Sequence, residues 1–362
     1  MTNGYHGFEV DVLPVGTGAR SGDAIAMRVG APEANEIVVV DGGNLEAGEA
    51  LVDHINTHFG NPTHIHHVIC THPDNDHTSG LRKLLENFTI GTLWIHQPWL
   101  HAAEIVDSFK GKWTTEGLEK HLRTDCFPIV AELCETAEKG GTTLAEPFQG
   151  QPIGAFVVLA PTYQRYLTLL PEMERTPAQK GILESAFDML KSAAETVYSA
   201  LESWNVETLK EPATDANSPS NESSVVMFGN FPERRILLTG DAGVSALQQA
   251  YDYAQAAGYN IISPDFIQIP HHGGRRNVSP AILDKILGHR LPDDTSARGW
   301  AVASASKDDP HHPRRVVLNA FKRRGYKCTS TEGNNVNYRS NFPNRSGYSA
   351  ISPFGLFAQV EE

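Results

Sequence analysis

Val68-Ile69-Cys70-Thr71-His72-Pro73-Asp74-Asn75-Asp76-His77-Thr78-Ser79-Gly80 sets two histidines and two aspartates into six positions directly behind an apolar run. The stretch from Ile65 to Cys70 reads as a buried strand, and the loop that closes it can aim all four side chains one way. Imidazole nitrogen and carboxylate oxygen are the donors that divalent metals take in hydrolases, so three or four on one loop supply much of a coordination sphere. The competing reading is a polar turn whose Asp and His residues cap the helix begun by Thr78 or Ser79.

The flanking sequence supplies the frame for that loop. Strands are expected over Phe8 to Leu13 and Ala24 to Val29, separated by the turn Val15-Gly16-Thr17-Gly18. Ile37-Val38-Val39-Val40 has the continuous apolar character of a strand buried on both faces, and it ends in Asp41-Gly42-Gly43. Ala47 to Phe59 has helical spacing, as do Leu81, Leu84 and Leu85, and the short strand Leu93-Trp94-Ile95 runs into His96. A less regular helical pattern fills Leu100 to Thr143, followed by the strand Phe156 to Leu159. Thr176 to Leu209 reads as a long amphipathic helical segment, and Thr214 to Asn221 as a polar loop.

Two strands, Ser224 to Gly229 and Arg235 to Thr239, then close on Gly240-Asp241. The helix Val244 to Ala257, the strand Phe266 to Ile269 and the loop Pro270-His271-His272-Gly273-Gly274 come next. The strand Trp300 to Ser304, the loop Lys307 to Pro313, the helix Val316 to Arg324 and a final strand pair complete the chain. Alternating strands and helices with interspersed strand pairs predict an α/β fold with mixed sheets. We expect a single domain over residues 1–362 with a helical insertion at about 163–215.

A chain of 362 residues with 40% hydrophobic content can bury a substantial core. It has no apolar run long enough to span a membrane and no signal-like start, so cytoplasmic residence is expected. The four cysteines, Cys70, Cys126, Cys134 and Cys328, have neither C-x-x-C nor zinc-finger spacing and read as reduced structural thiols. A formal charge of -13 argues against an extended duplex-binding surface.

Four polar loops follow apolar strands in order: His72 to His77, His96, Gly240-Asp241 and His271-His272. Together they hold the ligands of a two-metal hydrolytic site, including one carboxylate able to bridge. With Gly22-Asp23, Asp41-Gly42-Gly43, Asn221 with Ser224, and His312-Pro313, this pattern resembles the metallo-β-lactamase superfamily, and within it the soluble hydrolase domain of ComEC-like competence proteins. The resemblance spans nearly the whole chain and implies a four-layer αββα sandwich. It departs from the commoner H-x-H-x-D-H loop at Asp74, as the ComEC-like branch does.

By resemblance, His72 and Asp74 bind one cation and Asp76 and His77 the other, Asp241 bridges, and His271 completes the second sphere. The harder oxygen of Asp74 brings manganese into competition, with zinc favoured for the two divalent ions. His272 is expected beside the substrate or behind the ligands, and His311 and His312 are candidate phosphate contacts or proton donors. His96 is either a ligand or substrate contact or a residue ordering the Pro98-Trp99 turn. Arg275 and Arg276 either contact an anionic substrate or are solvated charges.

The expected chemistry is attack of a metal-bridging hydroxide on a phosphoester, with Asp76 orienting the nucleophile. A small phosphorylated molecule or single-stranded nucleic acid is the expected substrate. Hydrolysis of a lactone, lactam or thioester is an alternative, as is a binding or assembly protein with a structural or vestigial metal site.

Overall fold

The computed structural model describes residues 5–16, 21–174, 176–177, 199–212, 217–293 and 297–361. Sixteen strands are found among them. The first group is β1 (Gly7–Val12), β2 (Ala24–Ala31), β3 (Ala34–Gly42), β4 (His64–Ile69), β5 (Thr89–Trp94) and β6 (Thr143–Ala145). The second is β7 (Pro152–Ile153), β8 (Phe156–Ala160), β9 (Ser199–Leu201), β10 (Val226–Asn230), β11 (Arg235–Leu238) and β12 (Phe266–Gln268). The last four are β13 (Gly299–Ala303), β14 (Tyr326–Ser330), β15 (Val336–Ser340) and β16 (Gln359–Glu361).

They form two seven-stranded sheets, ordered β15-β1-β2-β3-β4-β5-β6 and β14-β13-β12-β11-β10-β8-β7, and a two-stranded sheet β16-β9. Both large sheets are mixed. β3 to β6 run parallel in the first and β11 to β14 in the second, with antiparallel pairs on the other side of each.

Alternation of side chains along the strands produces the layering. Val38 and Val40 of β3 meet Ile236 and Leu238 of β11 and Val302 of β13 in the core between the sheets. The intervening Ile37 and Val39 point outward against Leu51 and Leu84, which come from the helices Leu45–His58 and Leu81–Asn87. Leu237, Ala301 and Ala303 point outward from the second sheet against Leu247, Leu283 and Phe321, on the helices Val244–Ala257, Pro280–Leu287 and Arg315–Arg323. Three apolar cores therefore separate four layers, the αββα sandwich implied by the resemblance. Burial of every residue from Val38 to Val40 accounts for the unbroken apolar run there.

Two expectations need correction. The helix expected from Thr176 to Leu209 falls mostly outside the described residues, but its last part is not helical: β9 pairs with β16, and Glu202 behind it is buried. The Glu202 carboxylate accepts from the Thr208 backbone amide and side chain and from Arg323, contacts that an i,i+4 helix would not permit. The two strands that follow the helix Arg315–Arg323, expected as a final pair, do not pair with each other. β14 joins β13 in one sheet, whereas β15 joins β1 in the other.

No helix among the described residues is long and apolar enough to cross a membrane.

Candidate metal centre

Because β3, β4 and β5 are parallel, as are β11, β12 and β13, their C-terminal ends lie along one edge of each sheet. These ends and the loops that leave them carry Asp41, His72 to His77, His96, Asp241, His271-His272 and residues 304–313. Asp241 sits at the middle. Its Oδ2 lies 3.7 Å from His72 Nε2, 3.4 Å from His77 Nε2, 3.7 Å from His271 Nε2 and 3.7 Å from His272 Nε2. Asp74 Oδ2 is 3.6 Å from His72 Nε2, while Asp76 Oδ2 is 4.0 Å from both His77 Nε2 and His272 Nε2.

These separations are too long for hydrogen bonds. They suit atoms sharing a cation, since tetrahedral donors with bonds of about 2.1 Å stand about 3.4 Å apart. The Nε2 atoms of His72, His77 and His272 and Oδ1 of Asp241 are buried without a hydrogen-bond partner. Unpaired buried polar atoms are costly, and three imidazole nitrogens left unpaired within 3.7 Å of one carboxylate oxygen, Asp241 Oδ2, suit a metal ion. The donor set therefore fits divalent cations, and three-residue groups able to hold one recur here: His72-His77-Asp241, Asp76-His77-His272 and Asp241-His271-His272.

Polar partners behind the cluster turn the rings of His72, His77 and His271, the first through the Thr71 hydroxyl 3.0 Å from His72 Nδ1. Asp41, in the left-handed region at φ 57°, accepts from the Thr71 amide at 2.8 Å and the Thr71 hydroxyl at 2.6 Å, and meets His77 Nδ1 at 2.8 Å. His77 Nε2 is left to face the cluster, a carboxylate–histidine arrangement typical of metal ligands. Asn277 donates to the Asp241 carbonyl at 2.9 Å, so its Oδ1, 2.8 Å from His271 Nδ1, is the acceptor there and His271 Nε2 is left to face the cluster. Ser220 donates to Asp74 Oδ1 at 2.7 Å, and the Asp241 amide donates to Ser224 Oγ at 3.2 Å. Gln268 donates to Asp23 at 2.7 Å. The glycine before Asp23 permits close approach: a Cβ on Gly22 would stand 2.3 Å from the Asp76 carbonyl oxygen.

The electrostatics are those of a crowded proton site. Burial pushes Asp23 up to about 8. It also disfavours protonated His77, yet the carboxylates of Asp241 and Asp41 raise that histidine well above its ordinary value. His72 is raised by Asp74 and Asp241 against the same burial. Asp241 is held far below the carboxylate range by His77, His272 and His271, again despite burial. Burial lowers His272 to about 3. Cations would replace the shared protons, since metal binding releases protons from its ligands.

The expected ligands His72, Asp74, Asp76, His77, Asp241 and His271 are thus brought together. His272, expected toward the substrate, is buried with its Nε2 in the same group, and it is His272 that stands beside Asp76 and His77. His312 lies near, its ring centroid 5.6 Å from that of His271, and its Nδ1 is 3.2 Å from the buried Asp309 carboxylate. Burial and the His271 imidazole hold His312 below its ordinary pKa. His311 is exposed, and its Nδ1 is 3.5 Å from Arg314 Nη2. Arg275 and Arg276 are half-buried in the turn between His272 and Asn277.

His96 belongs to no ligand group among the described residues. It is buried, stacked on Tyr166 at 4.4 Å and packed on Phe148 at 4.6 Å, and burial lowers it to about 3. A cleft of about 1580 Å³ opens elsewhere, lined by Trp300, Tyr338, Arg339 and Tyr348, and reaches the loop of His311 and His312 through Lys307.

Thr71, Ser220, Gln268, Asn277 and Asp309 were not singled out in the sequence as site residues. Amide and hydroxyl side chains are common in loops, and no local spacing marks these.

Residues 18–116 match the family model described as the metallo-beta-lactamase superfamily, a span holding Asp23, Asp41 and the loop from His72 to His77. The match covers about a quarter of the chain and is a similarity over that span. Among solved structures, the chain is similar to the metallo-beta-lactamase fold protein YhfI from Bacillus subtilis, at 10% identity over 92% of this chain and 100% of that one, with a TM-score of 0.42. It is also similar to zinc-bound PqqB from Methylobacterium extorquens, at 13% identity over 91% and 99% of the two chains, TM-score 0.41. A diphosphatase from the PhnP family shares 9% identity over 92% and 98%, TM-score 0.40. A comparison with curated proteins finds no match.

Proposed function

We propose that this chain is a dinuclear metallohydrolase acting on phosphoesters. The observation that carries the reading is that three buried imidazole nitrogens without hydrogen-bond partners, Nε2 of His72, His77 and His272, gather within 3.7 Å of Asp241 Oδ2. We assign His72, Asp74 and His271 to one cation and Asp76, His77 and His272 to the other, with Asp241 shared, and zinc as the preferred ion. Bound cations would acidify a water molecule and polarise the bond under attack.

The protein's own groups divide the remaining work. Asp41, Thr71 and Asn277 hold the imidazoles of His77, His72 and His271 with Nε2 inward, so that these ligands do not reorganise during turnover. Asp76, less enclosed than the histidines, is placed to orient the attacking water. His312, held below its ordinary pKa by burial and the His271 imidazole and aligned by Asp309, is near enough to hydrogen-bond the departing oxygen. Arg275 and Arg276 lie in the turn that follows His272, and guanidinium groups match phosphate oxygens in geometry and charge better than they match a neutral lactam or thioester. Small phosphorylated molecules and single-stranded nucleic acid are the substrate classes that follow. Asp74 in place of a second histidine supports placement in the ComEC-like branch.

Metal analysis combined with a substrate panel tests this reading: bis-p-nitrophenyl phosphate, single-stranded DNA, RNA, cyclic dinucleotides and a lactam. We expect two divalent ions per chain and phosphodiester hydrolysis that disappears in Asp76→Ala and Asp241→Ala. Hydrolysis that survives removal of metal by a chelator would overturn it.

A further inference from the structure

Asp74 is the only oxygen donor in a position where a histidine would supply one nitrogen, and its two oxygens face different neighbours. Oδ2 lies 3.6 Å from His72 Nε2, on the side of the cluster, while Oδ1 accepts a 2.7 Å hydrogen bond from the Ser220 hydroxyl. Ser220 comes from far along the chain, and its own position is secured. It lies in the helical turn Pro219–Glu222, which is capped by Ser218 Oγ accepting from the Asn221 amide at 3.1 Å. The buried Ser223 donates to the Ser220 carbonyl at 2.6 Å, and Glu222 accepts from the Ala246 amide at 2.8 Å. A turn pinned at three points can impose an orientation on a half-exposed carboxylate rather than follow it.

A carboxylate can bind a cation through one oxygen or both, and two-oxygen binding raises the coordination number. It requires both oxygens to face the ion. With Oδ1 turned to Ser220, Asp74 presents one oxygen and substitutes for a histidine donor by donor. Four-coordinate geometry is what zinc takes, whereas manganese favours oxygen-rich sites of six ligands.

Resting on the dinuclear reading above, we infer that Ser220 is a positioning residue that makes Asp74 a one-oxygen ligand and thereby sets the preference of its half-site for zinc over manganese. The test is competitive metal binding to the full chain, read by metal analysis at equilibrium, for the wild type, Ser220→Ala and Ser220→Thr. Loss of a partner behind a metal ligand costs about 10–100-fold in affinity. The zinc-to-manganese affinity ratio should therefore fall by about tenfold or more in Ser220→Ala and recover in Ser220→Thr, which keeps the hydroxyl. Cobalt-loaded protein supplies a spectroscopic reading: the strong visible bands of four-coordinate cobalt should weaken in Ser220→Ala and return in Ser220→Thr. An unchanged ratio and spectrum in Ser220→Ala, with wild-type protein binding two ions, would overturn this inference and leave the dinuclear reading intact. Wild-type protein that takes up no metal would overturn both.

Discussion

At the scale of single residues, the cluster divides into donors and the groups that aim them. The donors stand out in the sequence because histidine and aspartate at strand ends are chemically distinctive, and His72, Asp74, Asp76 and His77 share one loop. The aiming groups do not stand out. Ser220 acts on a residue 146 positions away, and Asn277 on a carbonyl 36 positions away. Asn277 is the clearest case for a test, because one amide both fixes the His271 ring and anchors the Asp241 backbone. Asn277→Ala should lower zinc affinity by about 10–100-fold while leaving the fold in place. Isothermal titration with zinc, alongside a thermal melt of the metal-free protein, separates the two effects.

At the scale of elements, the close approach of the His72–His77 loop to the end of β3 depends on the absence of a side chain. A Cβ on Gly80 would lie 1.9 Å from the Gly42 carbonyl oxygen and 2.6 Å from that of Asn44, both of them backbone atoms that cannot move aside locally. Gly80→Ala should therefore destabilise the protein by about 3 kcal/mol, the upper part of the range for overpacking. A shift in the urea midpoint checks this, and a mutant with wild-type stability would contradict the packing argument. Strands with continuous apolar runs, such as Ile37 to Val40, were legible because they are covered on both faces. The extended segment after Ser199 was not. Its helix-forming composition was overridden by pairing with β16 and by the buried Glu202–Arg323 contact, both of which involve residues more than 100 positions away.

At the scale of the molecule, the chain end is fastened to its beginning by buried charge. Arg345 Nη2 contacts Glu9 at 2.6 Å and Asp11 at 2.7 Å, both carboxylates lying on β1 and fully buried. The guanidinium is flanked by the rings of Phe59 and Tyr348. Burial alone would raise Asp11, yet His54 and Arg345 bring it below its ordinary value. Removing the cation by Arg345→Ala leaves Glu9 with Arg28 and Asp11 with His54 and Asn337, and should cost about 3 kcal/mol, the lower end of the range for a broken buried pair. The folded pKa of Asp11 lies below its unfolded value, so its contribution is complete above about pH 4 and fades as the pH falls through the depressed value. Urea denaturation of wild type and Arg345→Ala should show the full difference at pH 7 and a smaller one under acid conditions. A gap that widened on acidification would show that the pair is not what stabilises this end.

By itself the sequence determined the α/β class, the order of most strands and the set of candidate donors, because side-chain periodicity and ligand chemistry are local properties. Tertiary structure alone decided that β14 and β15 belong to opposite sheets, that His272 rather than His271 stands beside Asp76 and His77, and that His96 is enclosed by aromatic rings. Each of those outcomes depends on which surfaces distant segments present to one another. Adjacent histidines differ by where the backbone turns them, here through consecutive left-handed residues at φ 49° and 56°, and residue type does not encode that direction.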